Sequence, residues 1–597
     1  MKKVLLSLLG VLIALPGISR DFSYTYEGQK LKYTVIDEEA KTCKTKEGDW
    51  AWMGYQPGNN VSGELIIPEI AMDGDTGYTV TSLSKGAFFY CSGLRSVTFP
   101  ESLTSIGDEA FYGCSSLTLV KTKAMTPPEI KDNSFGGLYA TVTVSVPADA
   151  FNDYIGTNWG LFENFRLGDS DKISKTFETG NLKYRLSPVK SEEGKNLAVV
   201  MPGDYSALTE VTIPERITYS DNGSNERYYV DAIGYKAFNG CSNLTTVTFN
   251  SRNAARTICG YAFAGTNISA ITMPKTIESI GDHAFSKCSS LSSVEIPGSV
   301  RTIGDYAFYK TQNLGKVTFN GGLESIGDYA FSECSLLSSV EIPGSVRTIG
   351  DYAFYETRNL GKVTFNEGLE SIGERAFSAY SDRNVEPIYI PSTLKSVVKD
   401  AFFNFNCRYV NISDLASWCN IDFANSNSNP AAHRKGLYLN GEIITDLVIP
   451  ESVKAVKDYT FCYNNELDSV TFNESLQTIG ASAFEGCIAL ESLIFNEGLQ
   501  SISDKAFYNC NAISSLILPN SLSTIGQQAF YGEKSMKNLT IGTSLTECNA
   551  DSFEGCNFDN LIITDGLTKL RFSGEWDKVG IHNLYMGRPI EFVTSEN

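Results

Sequence analysis

The sequence predicts a solenoid of stacked coils, mostly β-strand and loop, whose strands form a parallel β-sheet. Three observations support this fold class. The eighteen residues Ser292–Tyr309 recur without a change at Ser338–Tyr355, an offset of 46 that is twice a period of 23. An Ala-Phe pair, such as Ala307-Phe308, marks most periods. Apolar and polar residues alternate before the Pro or Gly of each copy, as in a half-buried strand.

The repeat phenylalanine shows how far the coils extend along the chain. Within each array most steps between successive copies are 23 residues, and the exceptions are 22 to 25. A single coil cannot bury its own apolar edge, so we expect a continuous core to form only when several coils stack. The repeat phenylalanines are Phe88, Phe111, Phe135, Phe238, Phe263, Phe285, Phe308, Phe331, Phe354, Phe377, Phe402, Phe461, Phe484, Phe507, Phe530 and Phe553.

Each repeat contains a strand, a turn and a return segment. Leu291–Ile296 alternates around Glu295 and is predicted to be the strand. Pro297 lacks the N–H that would continue it, so the chain turns there. Gly304 on the return segment can adopt backbone conformations closed to other residues. Phe308 then fills the core.

Two segments without the repeat indicate two modules. One covers residues 21–82, and a similar one begins near residue 174. We interpret both as N-terminal caps, because the exposed end of a solenoid has to be covered. The sequence therefore predicts a cap with a short module over residues 20–170 and a second cap with a long module over residues 174–597.

The first nineteen residues have the pattern of a secretory signal peptide. Lys2 and Lys3 precede the apolar run Val4–Leu15, and the small residues Gly17 and Ser19 follow. The run is too short to span a membrane. No other stretch reads as a transmembrane helix, so we expect a secreted or cell-surface protein.

An insertion at about residues 413–446 interrupts the long module. The step from Phe402 to Phe461 is 59 residues, about 36 more than one period. Asn440-Gly441 between apolar runs predicts a hairpin. Loops on a rigid scaffold often carry function, which makes Trp418 and Tyr438 a candidate binding site. The alternative is a purely structural elaboration of the repeat.

The fourteen cysteines follow the repeat instead of a disulfide pattern. Eight of them lie three residues after a repeat phenylalanine, a position where Thr266, Thr311 and Thr357 also occur. A position that takes Cys or Thr favours a small buried side chain, so we predict a ladder of free thiols. The eight are Cys91, Cys114, Cys241, Cys288, Cys334, Cys487, Cys510 and Cys556.

The remaining motifs give no support for catalysis. There is no CxxC, and the three histidines lie far apart, so neither a metal site nor a cofactor site is predicted. His283 takes a variable position of the repeat and is expected at the surface. HExxH, GxSxG and P-loop motifs are missing, so no catalytic residue is assigned and an enzyme is not expected. The net charge of −20 disfavours nucleic acid and anionic membranes as partners.

The repeat pattern LxxVxIPxxVxxIGxxAFxxCxx resembles the BspA-like, or Treponema-type, leucine-rich repeat of surface proteins of Bacteroidota. The resemblance covers nearly the whole chain after residue 19. It implies a leucine-rich-repeat solenoid whose variable strand positions line one face. It also implies a secreted or surface protein that binds proteins, by adhesion to host matrix or plasma proteins or to other bacteria.

The variable strand positions are the candidate protein-binding face. Ser/Glu and Lys/Thr alternate from coil to coil, so we expect the glutamates to lie near the lysines. That arrangement favours either mutual charge compensation, worth well under about 1 kcal/mol per pair, or a polar docking face. The residues are Ser293, Glu295, Lys316, Thr318, Ser339, Glu341, Lys362 and Thr364.

Two other functions remain open at this point. A structural spacer or scaffold of the cell surface would need no partner. A glycan-binding surface protein would need clustered aromatic residues, and this face has few, with Tyr389 the main exception. Further along the chain the same face carries Thr471, Thr540 and the apolar Ile494, Ile517 and Ile562.

Overall fold

The computed structural model describes residues 20–47, 61–170, 173–221, 223–379, 384–432 and 436–593. The predicted signal peptide, residues 1–19, lies outside these ranges. The chain divides into two compact units. The first runs to Pro202 and includes Ile217–Tyr229, and the second comprises Gly203–Arg216 and Val230–Asn597.

This division differs from the predicted boundary between residues 170 and 174. The hairpin Lys175–Thr179 with Leu182–Lys190 belongs to the first unit. Its buried Arg185 donates a hydrogen bond to the Gly160 carbonyl at 2.8 Å and another to the Phe162 carbonyl. A buried guanidinium needs such partners, so the hairpin is attached to the end of the first stack of coils.

The first unit consists of antiparallel cap strands followed by a short stack of parallel coils. The parallel pairing brings Val97 opposite Val120 and Val144 opposite Val120 on its other side. Its strands, apart from those of the hairpin, are Asp21–Tyr26, Gln29–Asp37, Thr42–Thr45, Gly63–Ile66, Ile70–Asp73, Thr76–Leu83, Leu94–Phe99, Ser105–Ile106, Leu119–Thr122, Glu129–Ile130, Thr143–Val146, Asn164–Leu167, Asn196–Val200 and Arg216–Asp221, whose first residue belongs to the second unit. Its helical segments are Leu138–Ala140, Ala148–Ala150, Phe151–Gly156 and Asn158–Leu161.

The second unit is the long solenoid, and each regular coil contributes two strands. We call the first the front strand and the second, shorter one the side strand. The front strands are Glu210–Ile213, Thr246–Phe249, Ala270–Ile271, Ser293–Ile296, Lys316–Phe319, Ser339–Ile342, Lys362–Phe365, Ile388–Ile390, Val410–Ile412, Leu437–Leu439, Asp446–Val448, Ser469–Thr471, Ser492–Ile494, Ser515–Ile517, Asn538–Ile541, Asn557–Ile563 and Gly580–Met586.

The side strands form a second set of parallel ladders. They are Ser224–Ile233 (which crosses the division between the units), Thr257–Ile258, Ser279–Ile280, Thr302–Ile303, Ser325–Ile326, Thr348–Ile349, Ser371–Ile372, Ser396–Val397, Asp422–Phe423, Ala455–Val456, Thr478–Ile479, Ser501–Ile502, Thr524–Ile525, Glu547–Asn549, Leu570–Ser573 and Ile590–Val593. The short strand Glu442–Ile443 and the helical segments Leu415–Cys419, Ser426–Ser428, Ala550–Phe553 and Trp576–Lys578 complete the unit.

The repeat phenylalanines stack in a ladder through the core, which confirms the predicted solenoid. The rings of Phe285 and Phe308 are 5.1 Å apart, and those of Phe308 and Phe331 are 5.0 Å apart, with interplanar angles of 8° and 4°. Parallel pairing aligns equivalent residues of adjacent coils, such as Val294 with Val317. Each coil therefore completes the core of its neighbours, as a stack of repeats requires.

The predicted insertion is built into the stack. Val410–Ile412 pairs in parallel with Ile388–Ile390, and the side strand Asp422–Phe423 pairs with Ser396–Val397. These segments make an additional coil that has no repeat phenylalanine. The Phe402 N–H donates to the Asn427 carbonyl at 3.0 Å, so the buried Ser428 stands where the phenylalanine would be.

The second part of the insertion is the hairpin that Asn440-Gly441 predicts, and the structure confirms it. Leu437–Leu439 pairs antiparallel with Glu442–Ile443. Asn440 and Gly441 have φ of 53° and 90°, the left-handed region that a tight hairpin turn requires.

The cysteine position of the repeat has a hydrogen-bonding role. All fourteen cysteines are buried thiols, in agreement with the predicted ladder. The Cys334 Sγ donates to the Phe308 carbonyl of the preceding coil at 3.2 Å, and the Thr311 Oγ1 makes the equivalent bond to Phe285 at 2.9 Å. Thr266 and Thr357 instead donate to the phenylalanine carbonyl of their own coil. The position therefore favours Cys or Thr, because each is a small side chain that can donate to a buried carbonyl.

One copy of this position holds a carboxyl group. Glu533, three residues after Phe530, is fully buried, and its Oε1 accepts the Cys510 N–H at 2.6 Å. Its Oε2 has no hydrogen-bond partner among the residues described. Burial disfavours the charged form and raises the pKa of Glu533 to about 8.

Replacing Cys334 by Val should lower the unfolding midpoint in urea, whereas replacing it by Thr should leave it nearly unchanged. Val and Thr have the same shape, but only Thr can donate to the Phe308 carbonyl. The loss for Cys334→Val should be about 0.5–1.5 kcal/mol, the net contribution of one hydrogen bond, because the Phe308 carbonyl still accepts the Thr311 N–H at 3.1 Å. Equal stability of the two variants would show that the position selects for size alone.

Glu533→Gln should remove a pH dependence of stability. The Glu533 carboxyl is protonated in both states below about pH 4.5 and ionised in both above about pH 8. Between these values only the folded state holds the proton, so the free energy of unfolding should fall as pH rises through this window. Urea unfolding at pH 5 and pH 9 measures the difference, which should shrink in Glu533→Gln. The exposed Glu474→Gln is the control and should retain the wild-type difference.

Candidate protein-binding face

The outward side chains of the front strands form one surface of the second unit, which we call the front face. In Ser293–Ile296 the residues alternate between exposed and buried, with Ser293 and Glu295 outward and Val294 and Ile296 inward. Ser339–Ile342 repeats this pattern. The inward residues build the core, so the outward positions are not needed to fold the coil.

The strand register corrects the predicted arrangement of charges on this face. Ser293 lies opposite Lys316, and Glu295 lies opposite Thr318. The same holds one pair of coils further on, with Ser339 opposite Lys362 and Glu341 opposite Thr364. Each lysine is therefore diagonal to the glutamate, and no ion pair joins them among the described residues.

Other partners take up these charges. The Glu295 Oε1 accepts a hydrogen bond from the Asn320 Nδ2 at 2.7 Å, and Glu341 accepts from Asn366 at 3.4 Å. The Lys362 Nζ lies 3.5 Å from Glu386, which is more than half exposed. Exposed pairs of this kind contribute little to stability, so the charges remain available to a partner.

Trp418 is a core residue, which corrects its prediction as a binding residue. Its side chain is 1% exposed, and its Nε1 donates to the Thr460 carbonyl at 3.1 Å. Its ring lies 5.2 Å from that of Phe423. The indole is therefore part of the core packing of the added coil, which has no repeat phenylalanine of its own.

Tyr438, the other candidate of the insertion, belongs to the front face. It lies in a front strand opposite Asn411, which in turn lies opposite Tyr389. The half-buried ring of Tyr409 is 4.3 Å from that of Tyr438. Tyr409 was missed by sequence reasoning because the added coil carries no landmark that gives its register.

Beyond the insertion one of the two outward positions of the front strands becomes mostly apolar. Val448 and Tyr585 occupy the position of Glu295 in their coils and are both more than half exposed. Sequence reasoning found Ile494, Ile517 and Ile562 at this position but missed these two. Asp446-Leu447-Val448-Ile449-Pro450 does match the strand and turn of the repeat, which is the signal that could have located Val448.

His283 is less accessible than its variable position predicts. Its ring is stacked between those of Tyr261 at 4.3 Å and Tyr306 at 4.6 Å. Burial lowers the pKa of His283. The column continues through Tyr329 and Tyr352 at 4.6 Å steps. Because each of these rings covers the face of the next, the column presents only ring edges.

Neither a metal cluster nor a membrane-spanning helix occurs in the described ranges. They contain no group of three His, Cys, Asp or Glu side chains placed to hold a metal ion. None of the helices within these ranges combines the length and apolar character that crossing a bilayer would take.

The repeats, the parallel coils and the outward strand positions define a leucine-rich-repeat solenoid. A model of the BspA type leucine rich repeat region matches residues 75–177, 204–336, 301–429 and 454–573, in 6 copies. The chain belongs to this family, as the repeat pattern predicts.

Several solved structures are similar to this chain. A leucine-rich repeat protein from Bacteroides ovatus is 21% identical, with 70% of this chain and 99% of that chain covered and a TM-score of 0.37. The pneumococcal vaccine antigen PcpA is 19% identical, with 71% and 99% covered and a TM-score of 0.36.

A third similar structure is the leucine-rich repeat protein of Treponema pallidum, which is 23% identical, with 36% and 86% covered and a TM-score of 0.25. TM-scores this low leave function to be argued from the chain itself. A search of curated proteins found no match.

Substitutions of Trp418 and Tyr438 should lower stability by different amounts, because the first side chain belongs to the core and the second to the surface. Trp418→Ala should cost about 3–5 kcal/mol of stability, because it opens a cavity in the core. The Thr460 carbonyl keeps a second donor, the Asn429 Nδ2 at 2.9 Å. Tyr438→Ala should cost less, about 1 kcal/mol, since its half-buried ring packs mainly on that of Tyr409. Urea unfolding followed by tyrosine fluorescence measures both, and similar losses for the two variants would contradict the assignment.

Proposed function

We propose that this chain is a secreted or cell-surface protein that binds other proteins through its front face. Host matrix or plasma proteins and the surface proteins of other bacteria are the proposed partners, so that the protein acts in adhesion. The observation that carries the proposal is the outward row of front-strand side chains. It extends over many coils and takes no part in the core.

The composition of the face supports a protein partner. In the coils from Ser293 to Thr364 it combines hydroxyl groups with both signs of charge. Such a surface offers hydrogen bonds and steering charges to a complementary protein. Family membership supports the same role, because the repeat presents its variable positions on a single face.

Two alternative functions are a spacer of the cell surface and a glycan-binding protein. A spacer of the cell surface would bind no partner saturably. Glycan binding draws support from one observation, the half-buried ring pair of Tyr409 and Tyr438 beside Tyr389. Aromatic rings on an exposed face can stack on sugars, so a glycan panel belongs in the same experiment.

Charge reversal on the front face should weaken binding of the chain from residue 20 onward to its protein partner. Binding to immobilised matrix proteins, plasma proteins, glycans and bacterial cells would be measured over a salt series. Lys316→Glu with Lys362→Glu should reduce affinity for the responding protein by about tenfold or more, because like charges then oppose the partner.

The matched control reverses the same number of charges away from the face. Arg301→Glu with Arg347→Glu alters two exposed arginines beside the side strands, and affinity should stay within about twofold of wild type. Equal losses in both double variants would indicate a general charge effect. A signal confined to glycans and abolished by Tyr438→Ala would favour the glycan-binding alternative, and no saturable signal would favour the spacer.

A further inference from the structure

The front face of the last coils carries a single column of exposed apolar side chains. Strand pairing places Val448, Thr471 and Ile494 side by side, and Ile517, Thr540, Ile562 and Tyr585 likewise. Ile494 and Ile517 join the two runs, since their strands are in contact. At about 4.8 Å per coil the column is about 29 Å long. We call these seven residues the apolar column.

The apolar column is well exposed. Ile517 is 70% exposed, Val448 64% and Ile494 52%. The two threonines of the column, Thr471 and Thr540, are partly exposed. Glu295 and Glu341 occupy the equivalent position before the insertion. The fold therefore does not require an apolar residue there, and aligned apolar residues on a surface mark an interaction site.

Acidic residues border the first three coils of the column on both sides. Asp446, Asp468 and Glu491 are exposed on the edge where the front strands begin. Glu451, Glu474 and Glu497 are exposed in the turns where they end. The three segments 445–451, 468–474 and 491–497 contain no Lys or Arg. Over these three coils the apolar column thus lies between two rows of negative charge.

We propose that the apolar column binds a cationic protein segment that presents a row of apolar side chains. This inference rests on the proposed protein-binding function and assigns a partner chemistry to one part of the face. The apolar side chains of the segment would pack along the column, and its Lys or Arg side chains would reach the two acidic rows. An amphipathic helix fits these dimensions, since one turn rises 5.4 Å and one coil about 4.8 Å.

The charges select this occupant over two others. A second copy of the chain would bring the same acidic rows against each other, in a molecule whose net charge is −20. An anionic membrane surface would be repelled in the same way. A cationic segment gains from both the apolar and the acidic parts of the site, and salt should weaken its binding.

The test uses two synthetic 18-residue peptides of identical helical pattern, one of Leu and Lys and one of Leu and Glu. A helix of this length spans about 27 Å, close to the length of the column. Fluorescence anisotropy with the chain from residue 20 onward should show saturable binding of the Leu/Lys peptide and none of the Leu/Glu peptide. Ile494→Ser with Ile517→Ser should weaken the Leu/Lys peptide by about tenfold.

The matched control is Ile488→Ser with Leu336→Ser. These two side chains are exposed to a similar degree, 49% and 48%, but lie off the column. Affinity in this control should stay within about twofold of wild type. Asp468→Asn with Glu491→Gln should flatten the salt dependence. A scrambled Leu/Lys peptide, which cannot align its Leu side chains, should bind at least about tenfold more weakly.

Three results would overturn the assignment. They are no saturable binding of the Leu/Lys peptide, equal affinity of the wild type and the Ile494/Ile517 variant, and equal binding of the scrambled peptide. Failure of the proposed function is a separate result, the absence of any saturable protein partner in the panel described above. If the Ile494/Ile517 variant bound a panel protein with wild-type affinity while Lys316→Glu with Lys362→Glu did not, protein binding would stand and the apolar column would not be its site.

Discussion

The structure depends on the contact between one coil and the next. A coil of about 23 residues has an apolar edge and a row of unpaired backbone groups, and neither can be satisfied within the coil. The adjacent coil supplies both, through the stacked phenylalanines and the parallel strands. In several coils the thiol or hydroxyl three residues after the phenylalanine adds a bond to the preceding coil, such as that from Cys334 to the Phe308 carbonyl. Residues that point inward are therefore constrained by the copies on either side.

Residues that point outward do not pack against the adjacent coils in the core, so their identity can vary. Glu295 and Ile494 occupy equivalent positions in their front strands, yet one is charged and the other apolar. Their neighbours in the core, Val294 and Leu493, are both apolar. The scaffold thus tolerates different surfaces on the same strand position, and the chain uses this freedom differently before and after the insertion.

The sequence predicts the features that recur in every repeat. It does not predict the register between strands or the packing of residues in the insertion. Period, repeat phenylalanines and inward residues all follow from the pattern, and the structure confirms them. The pairing of Glu295 with Thr318 could not be predicted from proximity of coils, because it depends on the register of two strands. Trp418 looked like a binding residue because an aromatic residue in an insertion has no repeat to place it. Its burial follows from its contacts with Phe423 and the Thr460 carbonyl, which the sequence of an irregular coil does not reveal.

The acidic rows beside the apolar column can both oppose self-association and attract a cationic partner. An exposed line of apolar residues on a parallel sheet tends to self-associate, and flanking charge of one sign opposes this. The same charge attracts a partner of opposite sign and orients it along the column. Protection alone could be achieved more simply by a Glu or Thr at each position, as in the coils before the insertion. The presence of Val448 and Ile494 between the acids, in line with Ile517 and Ile562, therefore argues that the apolar surface itself is used.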